Sequence, residues 1–486
     1  MLQKNEEIRF VDQSLRDGQQ SLWGLRMRPS DMMPVAERLN SMSFHAVDVG
    51  AWPGLILMAK RFQIDPWAMI DDLAEMMPDQ TLRAVSRSNG IGDFKSTPRH
   101  ILEASVRSFI KHRVTSFWIL DVLYDLDAMQ RLVETVYNEG GTPVPSIMFG
   151  ETPYHTDQFY VDTVQRMVSW PGVENIYVED ASGVMTPERA RTLMPALVEA
   201  AGEAKIELHC HNNLGLAPQN YLIAAEAGVR IFHTSIGALA DGYSLPDLRQ
   251  TVRNLRWAGF EVSEPSDSLV EIEEHLAATA LQNGHSPDGG VPRFDTRAFR
   301  HQLPGGMTST LLHQLKEYRA AHRFDDLVEE IAQVRVDLGY PIMATPVSQI
   351  VGGQALANLF STERYSVVLD SVVEYVKGGQ GIPMGPISPE LAARVEDESH
   401  RHVEADDQTY SGEEVTTDED MVLSYFLTPQ ERAALRPDPR RPRLRSRDKA
   451  SELRSLINSV SQHQDVSQLS LVTRQGNEIH AVRANE

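Results

Sequence analysis

Cysteine is nearly absent: Cys210 is the only one in 486 residues, so the chain can form no internal disulfide and no four-cysteine zinc site. Any metal must therefore be held by His, Asp or Glu. Long apolar runs are missing too. No stretch of roughly eighteen uncharged apolar residues occurs, and the N-terminal MLQKNEEIRF lacks the apolar core of a secretory signal, so a cytoplasmic protein with no membrane span is expected. Positive charge is in deficit, with 46 Lys and Arg against 68 Asp and Glu and a formal net charge of −22. Such a balance repels phosphates, and apart from the short PRRPRLRSR near the C-terminus no basic face stands out, so no nucleic-acid partner is expected.

What the chain has is length, an ordinary 41% hydrophobic content and a repeating rhythm. From Ile8 to about Gly259, short β-branched or apolar runs alternate with longer segments of helical period. The strand-like runs are IRFVD (8–12), HAVDVG (45–50), LRAVSR (82–87), SFWILDVL (116–123), PVPSIMF (143–149), NIYVED (175–180), KIELHCH (205–211) and RIFHTSI (230–236). Helix starts carry their own marks, as where Thr186-Pro187-Glu188 sets a cap residue before a first-turn proline and an acid. Eight βα units predict an α/β protein with a (β/α)8 TIM barrel over residues 1–260, its chemistry at the C-terminal ends of the strands.

Beyond Gly259 the pattern becomes helical without strands, as in LVEIEEHLAATALQNG and DDLVEEIAQVRVDLG, which predicts a mainly helical domain over 261–400. Its PGGMTSTLL reads as a loop packed against the barrel. Residues 401–447, rich in Asp, Glu, Arg and Pro, read as a linker. Residues 448–486 read as a small unit, with a helix in SELRSLINSV and a hairpin turning near Gln475-Gly476-Asn477.

The sharpest chemical signal is His209-Cys210-His211 at the end of the seventh strand. Residues two apart on a strand point to one side, so both imidazoles can face the barrel mouth and share one cation. Two partly buried histidines with hydrogen-bond partners would give the same pattern. Position favours the metal, because Asp17 follows strand one and Glu179 closes strand six. Asp17, His209 and His211 would leave open positions on a divalent ion, with Glu179 a fourth candidate, and such mixed ligands suit Zn, Mn or Co. Arg16 and Gln20 flank Asp17 and can hold a substrate carboxylate or carbonyl oxygen, although Arg16 as a plain ion-pair partner stays open.

DQSLRDGQQSLWGLRMRPSDMMPVAERL, ELHCHNNLGLA, PGGMTSTLLHQLKE, DLGYPIMATPVSQIVGGQALANLF and ERYSVVLDSVVEYVKGGQGIPMGPI resemble the carboxyltransferase component of pyruvate carboxylase, oxaloacetate decarboxylase and transcarboxylase. That family shares a metal-dependent barrel superfamily with 3-hydroxy-3-methylglutaryl-CoA lyase, and the likeness runs from about residue 8 to 395. It implies passage of a carboxyl group between biotin and an enolate carbon of a small-molecule substrate at a divalent metal. By position, Asp17, His209 and His211 correspond to family metal ligands, Arg16 and Gln20 to substrate contacts, and Thr345 to the residue that moves a proton between biotin and substrate. Ser348 and Gln349 fall where the biotin ring is held. From its own surroundings Thr345 is a turn residue before Pro346.

Two positions depart from the family. Glu179-Asp180-Ala181-Ser182-Gly183 stands where a carboxylated lysine in Lys-Asp-Met-Ala-Gly is usual, and a glutamate is already an anionic ligand. Trp118, in FWILD, stands where Phe-Arg-Ile-Phe-Asp supplies an arginine for the keto-acid carboxylate. An indole cannot replace that charge-assisted contact, so the expected substrate is not pyruvate but one with an apolar, neutral or cationic group at Trp118. The tail resembles the segment preceding the lipoyl-like domain of biotin carriers, yet no biotin-accepting Met-Lys-Met occurs. Carrier and biotin carboxylase are therefore expected on separate subunits, with the chain a homodimer inside a larger complex, as is common in the family. Two alternatives stand beside this one: a biotin-independent metal-dependent lyase, aldolase or decarboxylase of the same superfamily, and a scaffold subunit with a decayed site.

Overall fold

The computed structural model describes residues 6–91, 97–263, 265–379, 381–397, 416–437, 468–472 and 478–482. Eight strands close a parallel barrel in sequence order. They are β1 (Arg9–Asp12), β2 (Ala46–Ala51), β3 (Leu82–Arg87), β4 (Val114–Leu120), β5 (Thr142–Met148), β6 (Asn175–Asp180), β7 (Lys205–Cys210) and β8 (Ile231–Thr234). Closure is made by β1 on β8, with Arg9 opposite Ile231 and Asp12 opposite Thr234. The expected (β/α)8 architecture is the observed one. Strands buried on both faces need apolar residues toward the surrounding helices, and Val47, Phe117, Ile147, Val178 and Leu208 join one core cluster. Thr186 caps the helix Pro187–Ala201 by accepting from the Arg189 amide, as the Thr-Pro-Glu signal predicts.

Past the barrel the regular elements among the described residues up to 397 are helices, including Ser268–Gln282, Gly305–Glu317, Phe324–Asp337 and Val347–Phe360. This region lies over the C-terminal ends of the strands. The Ser182 hydroxyl after β6 donates to the Gln302 carbonyl, the Glu151 amide after β5 donates to Gln302 Oε1, and the Arg293 amide donates to the Asn213 carbonyl after β7. Pro346 and Val347 face Arg87, Asp121 and Leu123, at the ends of β3 and β4, across a cleft of about 240 Å3.

PGGMTSTLL is not a loop but the first turns of the helix Gly305–Glu317. Both glycines stand in its first turn, and position 305 has no room for a side chain, since a Cβ there would fall 2.2 Å from Tyr243 Cβ. Two helices, Asp418–Phe426 and Pro429–Ala434, stand inside the stretch expected to be a linker. The first docks on the barrel wall, where Arg107 forks onto Asp418 at 2.7 and 2.8 Å and Phe426 stacks on Trp52. Toward the C-terminus Gln468–Val472 and Glu478–Val482 pair antiparallel. The helix expected in SELRSLINSV and the turn at Gln475-Gly476-Asn477 lie outside the described residues. Among the described residues no helix is long and apolar enough to cross a membrane.

Candidate metal centre at the barrel mouth

Asp17 sits on a π-helical turn, Ser14–Gly18, that leaves β1. The turn is pressed against the strap after β8, since a Cβ on Gly18 would meet the Leu239 carbonyl oxygen at 2.8 Å. His209 lies near the end of β7 and His211 follows the strand. One ligand atom from each of Asp17, His209 and His211 lies within 4.8 Å of the others, and all three residues are buried. Asp17 Oδ2 is 3.8 Å from His209 Nε2, and Asp17 Oδ1 is 3.5 Å from His211 Nε2.

Behind each imidazole the second nitrogen is tied back. His211 Nδ1 is 2.7 Å from the Tyr243 carbonyl oxygen, which only accepts, so that nitrogen carries a proton and Nε2, toward Asp17, is the atom left to bind a cation. His209 Nδ1 lies 2.6 Å from the Tyr177 hydroxyl and 3.3 Å from His233 Nδ1. Gly183 holds the β6 loop over this edge: it adopts φ +63, and a Cβ there would come 2.7 Å from the His211 carbonyl oxygen.

Electrostatics separate the two histidines. Burial alone would lower both; it takes His209 well below its ordinary range, whereas Asp17 outweighs it at His211 and raises that group. Burial also opposes charge on Asp17, but Arg16 and the imidazoles hold its carboxyl well below the usual carboxylate range. Glu179, on β6, is outside the mutual 4.8 Å set. Burial pushes it up to about 8 against the pull of His211 and Arg16, and its Oε2 is buried without a hydrogen-bond partner.

Arg16 commits Nε to Asp48 at 3.0 Å, Nη1 to Asp17 at 2.6 Å and Nη2 to Gln13 Oε1 at 2.7 Å. Its guanidinium carbon stands 5.0 Å from the centre of the Trp118 ring, whose Nε1 is buried without a partner. Gln20, half-buried, shares with Arg16 a mostly apolar cleft of about 320 Å3 lined by Leu15, Met32, Val49 and Met58. Thr345 and Gln349 are exposed on the segment over β3 and β4, while Ser348 is buried and its hydroxyl has no partner.

The structure thus brings together Asp17, His209 and His211, sets Arg16, Trp118 and Glu179 around them, and places Thr345, Ser348 and Gln349 on the covering helical region. Sequence reasoning missed Tyr177, His233, Gln13, Asp48, Arg83 and Glu207, which surround or underlie the cluster. Strand parity held a usable signal, since Glu207 shares the inward parity of His209 and polar side chains at inward positions need partners.

The donor set suits a small divalent cation. Two imidazole nitrogens and a carboxylate converge, and His209 Nε2 and Glu179 Oε2 are buried polar atoms without partners, which protein interiors rarely leave so. Fold and site together define a (β/α)8 barrel with a candidate metal centre at its C-terminal mouth.

Sequence comparisons agree in order along the chain. A family model described as HMGL-like matches residues 106–274, and one described as a conserved carboxylase domain matches 298–435. A pyruvate carboxylase subunit from Methanocaldococcus jannaschii is 33% identical over 400 residues, covering 82% of this chain and 70% of that protein. The 2-oxoglutarate carboxylase large subunit of Hydrogenobacter thermophilus is 30% identical over 394 residues, covering 80% and 60%. In fold, the carboxyl transferase domain of Rhizobium etli pyruvate carboxylase superposes with a TM-score of 0.76 at 21% identity, over 99% of this chain and 84% of that one. The chain belongs to the carboxyltransferase family of biotin-dependent carboxylases.

Proposed function

We propose that this chain is the carboxyltransferase subunit of a multisubunit biotin-dependent carboxylase, moving a carboxyl group between carboxybiotin on a separate carrier protein and the enolate carbon of a substrate other than pyruvate. The observation that carries it is the convergence of Asp17, His209 Nε2 and His211 Nε2 at the barrel mouth. In this reading those residues hold a divalent cation, Zn, Mn or Co, and Glu179 supplies a further oxygen where relatives use a modified lysine. Bound there, the cation would polarise a substrate carbonyl and ease enolate formation.

The remaining work falls to the chain's own groups. Asp48 and Gln13 fix the Arg16 fork, and Arg16 with Gln20 orients the substrate. Thr345 would move the proton between substrate and biotin, and Ser348 and Gln349 would hold the ring, Gln349 being exposed and Ser348 buried with an unpartnered hydroxyl. The helical part past the barrel completes the site, resting on the loops after β5 and β6 through Gln302. One feature supports a substrate other than pyruvate: Trp118 presents an indole at the site wall, 5.0 Å from the Arg16 guanidinium carbon, and an indole cannot take the place of a charged fork for a keto-acid carboxylate.

The test is isolation of the chain with its native partners, metal analysis, and carboxylation assays with pyruvate, 2-oxoglutarate and acyl thioesters. A stoichiometric divalent metal, a co-purifying biotinylated protein and turnover that requires it are expected. Asp17→Ala should lose the metal and roughly a thousandfold or more of the rate. Turnover of an acyl substrate by the purified chain alone at an ordinary enzymatic rate overturns the assignment in favour of a biotin-independent lyase.

A further inference from the structure

The buried ring of Tyr177 lies flat against Trp118, with centroids 4.4 Å apart and planes inclined by 1°. Its hydroxyl reaches His209 Nδ1 at 2.6 Å. On the far side of that imidazole, Nε2 is buried, has no hydrogen-bond partner and faces Asp17 Oδ2 at 3.8 Å. An imidazole binds a cation through a lone pair, so if Nε2 is the donor the ring proton sits on Nδ1 and requires an acceptor. Two atoms are in reach, Tyr177 Oη and, at 3.3 Å, His233 Nδ1. The second is already engaged. Gln13 Nε2, an amide nitrogen that only donates, lies 3.0 Å from His233 Nδ1, while His233 Nε2 faces Glu207 at 3.0 Å. The phenol oxygen is the nearer acceptor and the less committed one.

We infer that Tyr177 is a positioning residue for the cation site, its phenol oxygen accepting the His209 Nδ1 proton and so fixing the tautomer and ring angle that present Nε2 to the ion. This rests on the metal-site reading above and extends it to a residue outside the donor set. Stacking on Trp118 fixes the position of the phenol, and Arg16 lies against the same indole at 5.0 Å. Arg16, Trp118, Tyr177 and His209 therefore form one packed line, which couples the group that would orient substrate to the imidazole that would hold the ion.

Tyr177→Phe keeps the ring and deletes the oxygen. The full-length chain, stripped of metal, is titrated with Zn2+ against a competing chelator, and its Co2+ form is followed by visible absorption. Zn2+ affinity should fall about tenfold to a hundredfold, the Co2+ bands should shift, and the metal-free protein should unfold within a few degrees of wild type. Tyr375→Phe is the control. Its buried hydroxyl, in the helical region past the barrel, donates to the Leu338 carbonyl at 3.2 Å, so the loss should lower stability while metal affinity stays unchanged. Unchanged Zn2+ affinity and Co2+ bands in Tyr177→Phe overturn the inference, whatever happens to its melting temperature. If that variant does not fold, 15N shifts of the histidines in the Zn2+-loaded wild type decide, a proton on His209 Nδ1 supporting the role and a proton on Nε2 refuting it. Wild type that binds no Zn2+ removes the proposed metal site and this inference with it, whereas equal binding by wild type and Tyr177→Phe removes the inference alone.

Discussion

Toward the N-terminal end of the barrel interior, Arg83 forks onto Glu207, reaching Oε1 at 3.0 Å, gives Nε to the Ser116 hydroxyl at 3.0 Å, and leaves Glu207 to meet His233 and His45 as well. Toward the C-terminal end, the same kinds of side chain are equally buried, yet His209 Nε2, Glu179 Oε2 and Trp118 Nε1 have no hydrogen-bond partner. Both layers desolvate polar groups, which is costly unless something compensates. Below, compensation is internal and complete for these residues. Above, these three atoms find no partner in the chain, and this layer is the one at the mouth, where strands end and loops can be reached.

Breaking the lower layer should have the largest effect. Glu207→Gln strips the anion from a buried guanidinium and is expected to cost about 3–5 kcal/mol in denaturant unfolding, while joint Arg83→Met and Glu207→Leu should recover most of it. A loss under about 1 kcal/mol for Glu207→Gln would show that internal pairing is not what secures that layer.

An intermediate case sharpens the contrast. His155, beyond β5, has one partner, with Nδ1 2.7 Å from the Thr152 hydroxyl, while its Nε2 is buried without any. Burial, with help from Arg335, pushes its pKa from 6.5 down to about 4. As pH falls the unfolded state takes up this proton first. Its contribution to stability is therefore whole above pH 6.5 and shrinks toward pH 4, by about 1.4 kcal/mol per pH unit. Urea midpoints at pH 7 and pH 5 should thus differ less for His155→Gln than for wild type, and equal differences would refute the assignment.

The smallest effect belongs to the outer wall. Arg107 and Asp418 have bidentate geometry as good as that of Arg83 and Glu207, but their side chains are 37% and 30% exposed. Arg107→Ala should cost under about 1 kcal/mol by thermal unfolding. A cost near that of Glu207→Gln would mean that pairing geometry, rather than burial, sets the difference between the layers.

Much of the site was legible in the sequence alone, and for a local reason. His209 and His211 share a strand face two residues apart, and Asp17 stands at the end of a strand pattern, so their convergence follows once a closed barrel is assumed, whereas Glu179, also at a strand end, stays outside the set. Tyr177 was not legible as the support of His209, because its partner lies 32 positions along the chain. Nor was the Arg83–Glu207 pair, separated by 124 positions. PGGMTSTLL misled because a glycine pair points away from helix, while the close approach of Tyr243 that leaves room only for glycine at 305 comes from another part of the chain.

The amino-acid order alone determined the alternation of strand and helix, the number of units and the inward parity of the imidazoles, because these depend on periodicity within a few residues. Tertiary structure decided which buried polar groups meet and which stay unpartnered, because that depends on strand register and barrel closure, which bring together residues whose separation in sequence carries no sign of their contact.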